Sequence, residues 1–112
     1  MEWDLYATIY LDADMDKPAV VRAVAEIAGG PAAGTTIVTE LAEIFVLDNE
    51  DFIAAGSGGG DDARRRCRYC LEIEPLEHVD VLAYKAKIAT LLADLREAGF
   101  RAVLPGDSGE RF

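Results

Sequence analysis

Two helical periods divide this chain, and each lies between segments whose side chains alternate at every second residue. In the first helical period Val20, Val24, Ile27 and Ala28 recur at helical spacing. Asp16 is placed to cap its start, and Pro18 falls in the first turn, where a missing N–H costs nothing. Gly29-Gly30-Pro31 ends it, since glycine accepts the left-handed stop and proline cannot continue a helix. In the second period, over residues 80–98, Val81, Tyr84, Ile88, Leu91, Leu92 and Leu95 form an apolar stripe. Gly99 supplies its stop, with Phe100 placed for the apolar contact that accompanies such an end.

The flanking segments have a period of two, the signature of strands covered on one side. Over residues 5–11, Leu5, Ala7, Ile9 and Leu11 point one way, and Tyr6, Thr8 and Tyr10 the other. Over residues 64–74, Arg65, Cys67, Tyr69, Leu71 and Ile73 share one face, and Arg64, Arg66, Arg68, Cys70, Glu72 and Glu74 the other, with Pro75 as the end. Residues 101–104 form a short last strand. Residues 35–47 are apolar on both parities, which predicts either a strand covered on both sides or a bulge near Glu40-Leu41 that switches faces. Residues 48–63, with the run Gly56-Ser57-Gly58-Gly59-Gly60, are a loop by composition. The tail, 107–112, is expected to be loose.

The resulting order, β-α-β-β-α-β, predicts an α+β fold: a ferredoxin-like sandwich with a four-stranded antiparallel sheet of order 4-1-3-2 and both helices on one face. At 112 residues the chain fits one domain. An apolar fraction of 51% is too high for a disordered chain. No stretch approaches the roughly 18–20 apolar residues of a membrane span. The opening Met1-Glu2-Trp3-Asp4 lacks the features of a signal peptide, so a cytoplasmic location is expected.

Charge narrows the function. With 21 acidic against 11 basic residues the formal charge is −10. Such a chain repels phosphate backbones, which argues against nucleic-acid binding. It also complements basic proteins, because opposed fields speed encounter and exclude wrong partners. In the predicted topology Asp12, Asp14 and Asp16 approach Asp48, Glu50, Asp51, Asp61 and Asp62 at one end of the sheet. This acidic edge reads as a partner-binding surface or as a metal site.

The metal reading meets several objections. Asp12-x-Asp14-x-Asp16 has the opening rhythm of a calcium loop, but Lys17 and Ala23 stand where that loop needs glycine and a bidentate glutamate. Gly59-Gly60-Asp61-Asp62 resembles the hairpin signature of nucleotide cyclases, and Asp12 resembles the aspartate near the first strand end of a small CRISPR-associated nuclease. Those resemblances imply metal-dependent phosphoryl transfer by Asp12 with Asp61 or Asp62. No phosphate-binding loop accompanies them. Cys67-x-x-Cys70 has redox or zinc spacing, yet residues three apart on a strand face opposite ways, and no second Cys or His pair completes a zinc site. The lone His78, beside Glu77 and Asp80, has no nucleophile to serve. No catalytic residue, metal or cofactor is assigned.

The uncovered sheet face, with Tyr6, Tyr10, Arg66 and Arg68, has the shape of a stacking platform for RNA, but RNA-binding signatures are missing. Tyr and Arg are equally the residues of interface cores, so a homodimer or a docked partner is expected there.

The segment Tyr69-Cys70-Leu71-Glu72-Ile73-Glu74-Pro75, the helix after it, and Leu92-x-x-Leu95-Arg96-x-x-Gly99 resemble a group of small acidic bacterial proteins. The resemblance covers about the last third of the chain, and Asp107-Ser108-Gly109-Glu110-Arg111 departs from it. In size and charge the chain is also similar to immunity proteins, which neutralise secreted toxins by covering a basic active site. The first expectation is therefore a non-enzymatic acidic binding domain. Asp12, Asp14, Asp48, Glu50, Asp61 and Asp62 would supply charge, and Tyr6, Tyr10, Arg66 and Arg68 the contact. Its alternatives are the phosphoryl-transfer enzyme and a dimeric small-molecule sensor.

Overall fold

The computed structural model describes residues 6–49 and 67–104. Their elements run β1 (Ala7–Asp12), α1 (Lys17–Ala28), β2 (Ala32–Ala33), β3 (Thr36–Val38), β4 (Ala42–Asp48), β5 (Tyr69–Pro75), α2 (Val81–Glu97) and β6 (Arg101–Val103). The fold is α+β, with one antiparallel six-stranded sheet in the order β2-β3-β4-β5-β1-β6.

This overturns the ferredoxin-like four-stranded sheet. The difference lies in residues 32–48, which make three strands where the alternation predicts one. Thr39 is the cause. Its backbone N–H donates to the Ala42 carbonyl at 2.8 Å. Its hydroxyl accepts from the N–H groups of Leu41 and Ala42 at 3.2 and 3.0 Å and lies 3.1 Å from the Ala42 carbonyl oxygen, to which it donates. The chain reverses there instead of bulging. Ile37 is buried before the reversal, and Ala42, Ile44 and Val46 after it, so the core parity changes and both parities look apolar in the sequence. A second reversal follows from Gly34, whose φ of +65° suits the two-residue link that sets Ala33 opposite Thr36.

The helices end where their caps place them. Asp16 accepts from the Ala19 N–H at 3.1 Å, and Asp80 from the Ala83 N–H at 2.9 Å. Gly29 takes φ +81° after α1, and Gly99 takes φ +101° after α2. At the latter, the Phe100 N–H reaches back to the Leu95 carbonyl at 3.1 Å, and Phe100 packs partly buried on the core.

Both helices pack on the sheet face that carries Ile9, Leu11, Ile44, Val46, Leu71 and Ile73, and these join Val20, Val24, Tyr84, Ile88, Leu91 and Leu95 in one core. Polar ties fix the layers. The Tyr84 hydroxyl donates to the Ile73 carbonyl at 3.2 Å, joining α2 to β5. Lys87 Nζ donates to the Ala28 carbonyl at 2.7 Å, which places a cation at the carbonyl end of α1. Among the described residues no helix is long and apolar enough to cross a membrane.

Candidate protein-binding face

The ladder registers lay out the helix-free face of the sheet row by row. One row runs Val103, Tyr10, Cys70, Leu47 across β6, β1, β5 and β4. The next runs Thr8, Glu72, Phe45, Thr36 across β1, β5, β4 and β3, and the third sets Glu74, Glu43 and Val38 side by side. The apolar members are unevenly covered. Cys70 is buried, Tyr10, Phe45 and Val103 are half-buried, and Leu47 and Val38 are 36% and 40% exposed. Tyr6, just ahead of β1, is 68% exposed. None of these side chains belongs to the core on the helix side.

The three glutamates of this face stand together. Glu43 and Glu74 are direct cross-strand partners, and Glu72 is two residues from Glu74 on the same side of β5. Like charges directly opposite are destabilising. No lysine or arginine occurs in β1, β2, β3, β4 or β5.

The sheet end that carries Asp12, Asp14 and Asp48 is built differently. Asp48 pairs in register with Tyr69, and Tyr69 with Leu11, so the ends of β1 and β4 do share one end of the sheet. There each described aspartate has an internal partner. The Asp12 carboxylate accepts from the Arg68 N–H at 3.1 Å and stands 3.9 Å from its Nε. Asp14 meets Arg68 Nη1 at 3.3 Å, Asp48 meets Lys17 Nζ at 3.3 Å, and Asp16 caps α1. The Tyr69 hydroxyl donates to the Met15 carbonyl at 2.6 Å and pins the connecting loop. Such exposed pairs contribute about 0–1 kcal/mol each. Their consequence is local compensation of charge. Glu50, Asp51, Asp61, Asp62 and Arg66 lie outside the described residues.

Beside this end, an open cleft of about 630 Å³ is lined by Asp12, Ala13, Asp14, Met15 and residues 98–101. Among the described residues no group of three or more His, Cys, Asp or Glu side chains is arranged to hold a metal ion.

The remaining candidates, Cys67 and His78, lie just before and just after β5. Cys67 precedes β5, because the Asn49 side chain donates to its carbonyl at 2.7 Å and Arg68 turns its N–H to Asp12. The strand expected to begin at residue 64 is therefore described only from Tyr69. Burial, with a smaller contribution from Asp12 and a partial offset by Arg101, pushes the Cys67 thiol up to about 11. A thiol so placed is protonated near neutral pH and is a poor nucleophile. His78 is exposed and takes φ +62° in the turn between β5 and α2, at the opposite end of the sheet from Asp12.

Alternation already sets Glu72 and Glu74 on one face of their strand, and Glu43 is the residue it does not bring to them. The signal that finds Glu43 is the reversal at Thr39, which moves it to the face opposite Ile37. In comparison with known proteins the chain matches no family model, and no curated protein or solved structure is significantly similar to it.

Proposed function

We propose that this chain is a non-catalytic protein-binding domain that docks a protein through the helix-free face of its sheet. The observation that carries this reading is the row Val103, Tyr10, Cys70, Leu47 with Phe45 beside it. It is an apolar strip outside the core, with Leu47 and Val38 exposed at its margin. Apolar and aromatic side chains ringed by polar ones are the composition of an interface centre and rim. The acidic sheet end supports the same reading by its chemistry. Asp12 and Asp14 hold Arg68, and Asp48 holds Lys17, which favours a structural role over a metal-bound one.

The test compares two surface variants of the whole chain as baits in lysate of its own source organism. Leu47→Asp alters the proposed face. Leu82→Asp alters a more accessible apolar residue on α2, 77% exposed against 36% for Leu47. Leu82→Asp is expected to stay within about 0.5 kcal/mol of the parent, and Leu47→Asp to lose about 1–2 kcal/mol, with the denaturation midpoint of each showing that it is folded. Proteins retained by the parent and by Leu82→Asp should be lost from Leu47→Asp. Equal retention by both variants removes the sheet face from the function.

A further inference from the structure

Building on the reading of the open face as a docking surface, we infer that its occupant is a basic protein segment, with Lys or Arg side chains against Glu43, Glu72 and Glu74 and apolar side chains against Tyr10, Phe45 and Leu47. The inference starts from a contrast within the molecule. At the Asp12 end of the sheet, Arg68 and Lys17 compensate the carboxylates. On the open face three carboxylates occupy neighbouring positions of β4 and β5, and the five strands from β1 to β5 carry no basic residue. The remaining strand brings Arg101, which lies in register with Asp12 at the other end.

The opposition of Glu43 and Glu74 costs the free domain stability. A cation laid between them removes that cost, so part of the attraction to a basic partner is repulsion relieved on contact. Phe45 lies in register beside Glu72, and Leu47 beside Cys70. The surface therefore asks for charge and apolar contact within a few ångströms of each other. The net charge of −10 adds long-range attraction for the same class of partner.

A second copy of the chain fits less well. Glu72 is on β5, with three strands to one side and two to the other. Two copies meeting through this face would set two such groups of glutamates against one another, and each copy carries −10. Like-charge juxtaposition of this kind opposes association.

The experiment selects from a phage-displayed library of random 12-residue peptides with the full chain as target. The enriched sequence is then synthesised for calorimetry, and the chain alone is sedimented over a wide concentration range. Three variants report: Glu72→Lys, Leu47→Asp and, as a charge control on α2, Glu97→Lys. The expected result is enrichment of Lys or Arg together with apolar residues. The selected peptide should lose tenfold or more in affinity with Glu72→Lys and with Leu47→Asp, and less than twofold with Glu97→Lys. Leu47→Asp is the decisive variant, since it adds negative charge and would strengthen a merely electrostatic contact. Peptides without basic residues that still depend on Leu47 would overturn the basic partner and keep the docking face. So would a parent dimer dissociated by Leu47→Asp. No enrichment from a monomeric chain would overturn both.

Discussion

Glu43 faces Glu74 across the β4–β5 ladder, a like-charge pair in direct register on the side of the sheet that the helices leave open. Its strands contain no basic residue to relieve it. The pair links the local energetics of the sheet to the surface it presents. Replacing one member by a cation should therefore stabilise the free domain while spoiling the face.

Glu43→Lys is expected to raise stability by about 0.5–1 kcal/mol, since repulsion is exchanged for attraction at one cross-strand position. Glu43→Gln should give a smaller gain. Urea denaturation at low salt checks both, and the gap between parent and Glu43→Lys should narrow as salt is added. A loss of stability in Glu43→Lys would show that the opposition of Glu43 and Glu74 carries no cost.

Adjacent glycines give the second prediction. A Cβ at Gly30 would lie 2.1 Å from the Val38 carbonyl oxygen, so the link between α1 and β2 passes β3 there without room for a side chain. A Cβ at Gly29 meets nothing within 4 Å, and its only constraint is φ +81°. Gly30→Ala should cost about 3 kcal/mol or more, because backbone must move. Gly29→Ala should cost about 1–2 kcal/mol, the ordinary penalty of a left-handed position. Equal denaturation midpoints for the two variants would contradict the close approach of the Val38 carbonyl.

Cys67 sets a pH dependence whose sign is fixed. Its thiol is raised from 9.0 to about 11 in the folded chain. Between these values the unfolded chain releases a proton that the folded chain keeps, and unfolding gains. The contribution of Cys67 is fully present below pH 9 and is lost as pH rises through about 11. Its size is on the order of 2 kcal/mol. The stability of the parent relative to Cys67→Ala should therefore fall from pH 8 to pH 11, a comparison that cancels other groups titrating in that range. A difference independent of pH would show that the thiol ionises alike in both states.

The helices were legible in the sequence because their signals are local. Asp16, Gly29, Asp80 and Gly99 act within a few residues of themselves, and each does in the structure what its chemistry predicts. The sheet was less so. The reversal at Thr39 contains no glycine, proline or asparagine. It is held by one hydroxyl and one backbone bond to Ala42, which alternation of apolar residues does not reveal. With that reversal hidden, Glu43 falls on the same parity as Ile37, and its place beside Glu72 and Glu74 is not seen. The aspartates at the end of β1 were visible as charge. Their compensation by Arg68, 56 residues from Asp12 in the chain, is a tertiary fact.

The β2–β3 hairpin also governs how the molecule meets others of its kind. Without it β4, seven residues rich in apolar side chains, would be the rim of the sheet. Such a rim, with a row of open N–H and C=O groups, is a template for aggregation. β3 pairs with residues 43–45 of β4, and the Thr35 carbonyl takes the Val46 N–H at 2.9 Å. The boundary moves outward to Ala32–Ala33, and at the far side stands the three-residue β6. Among the described strands the two outermost are thus the short β2 and β6, which offer a neighbouring chain few open N–H and C=O groups where a seven-residue apolar rim would offer many.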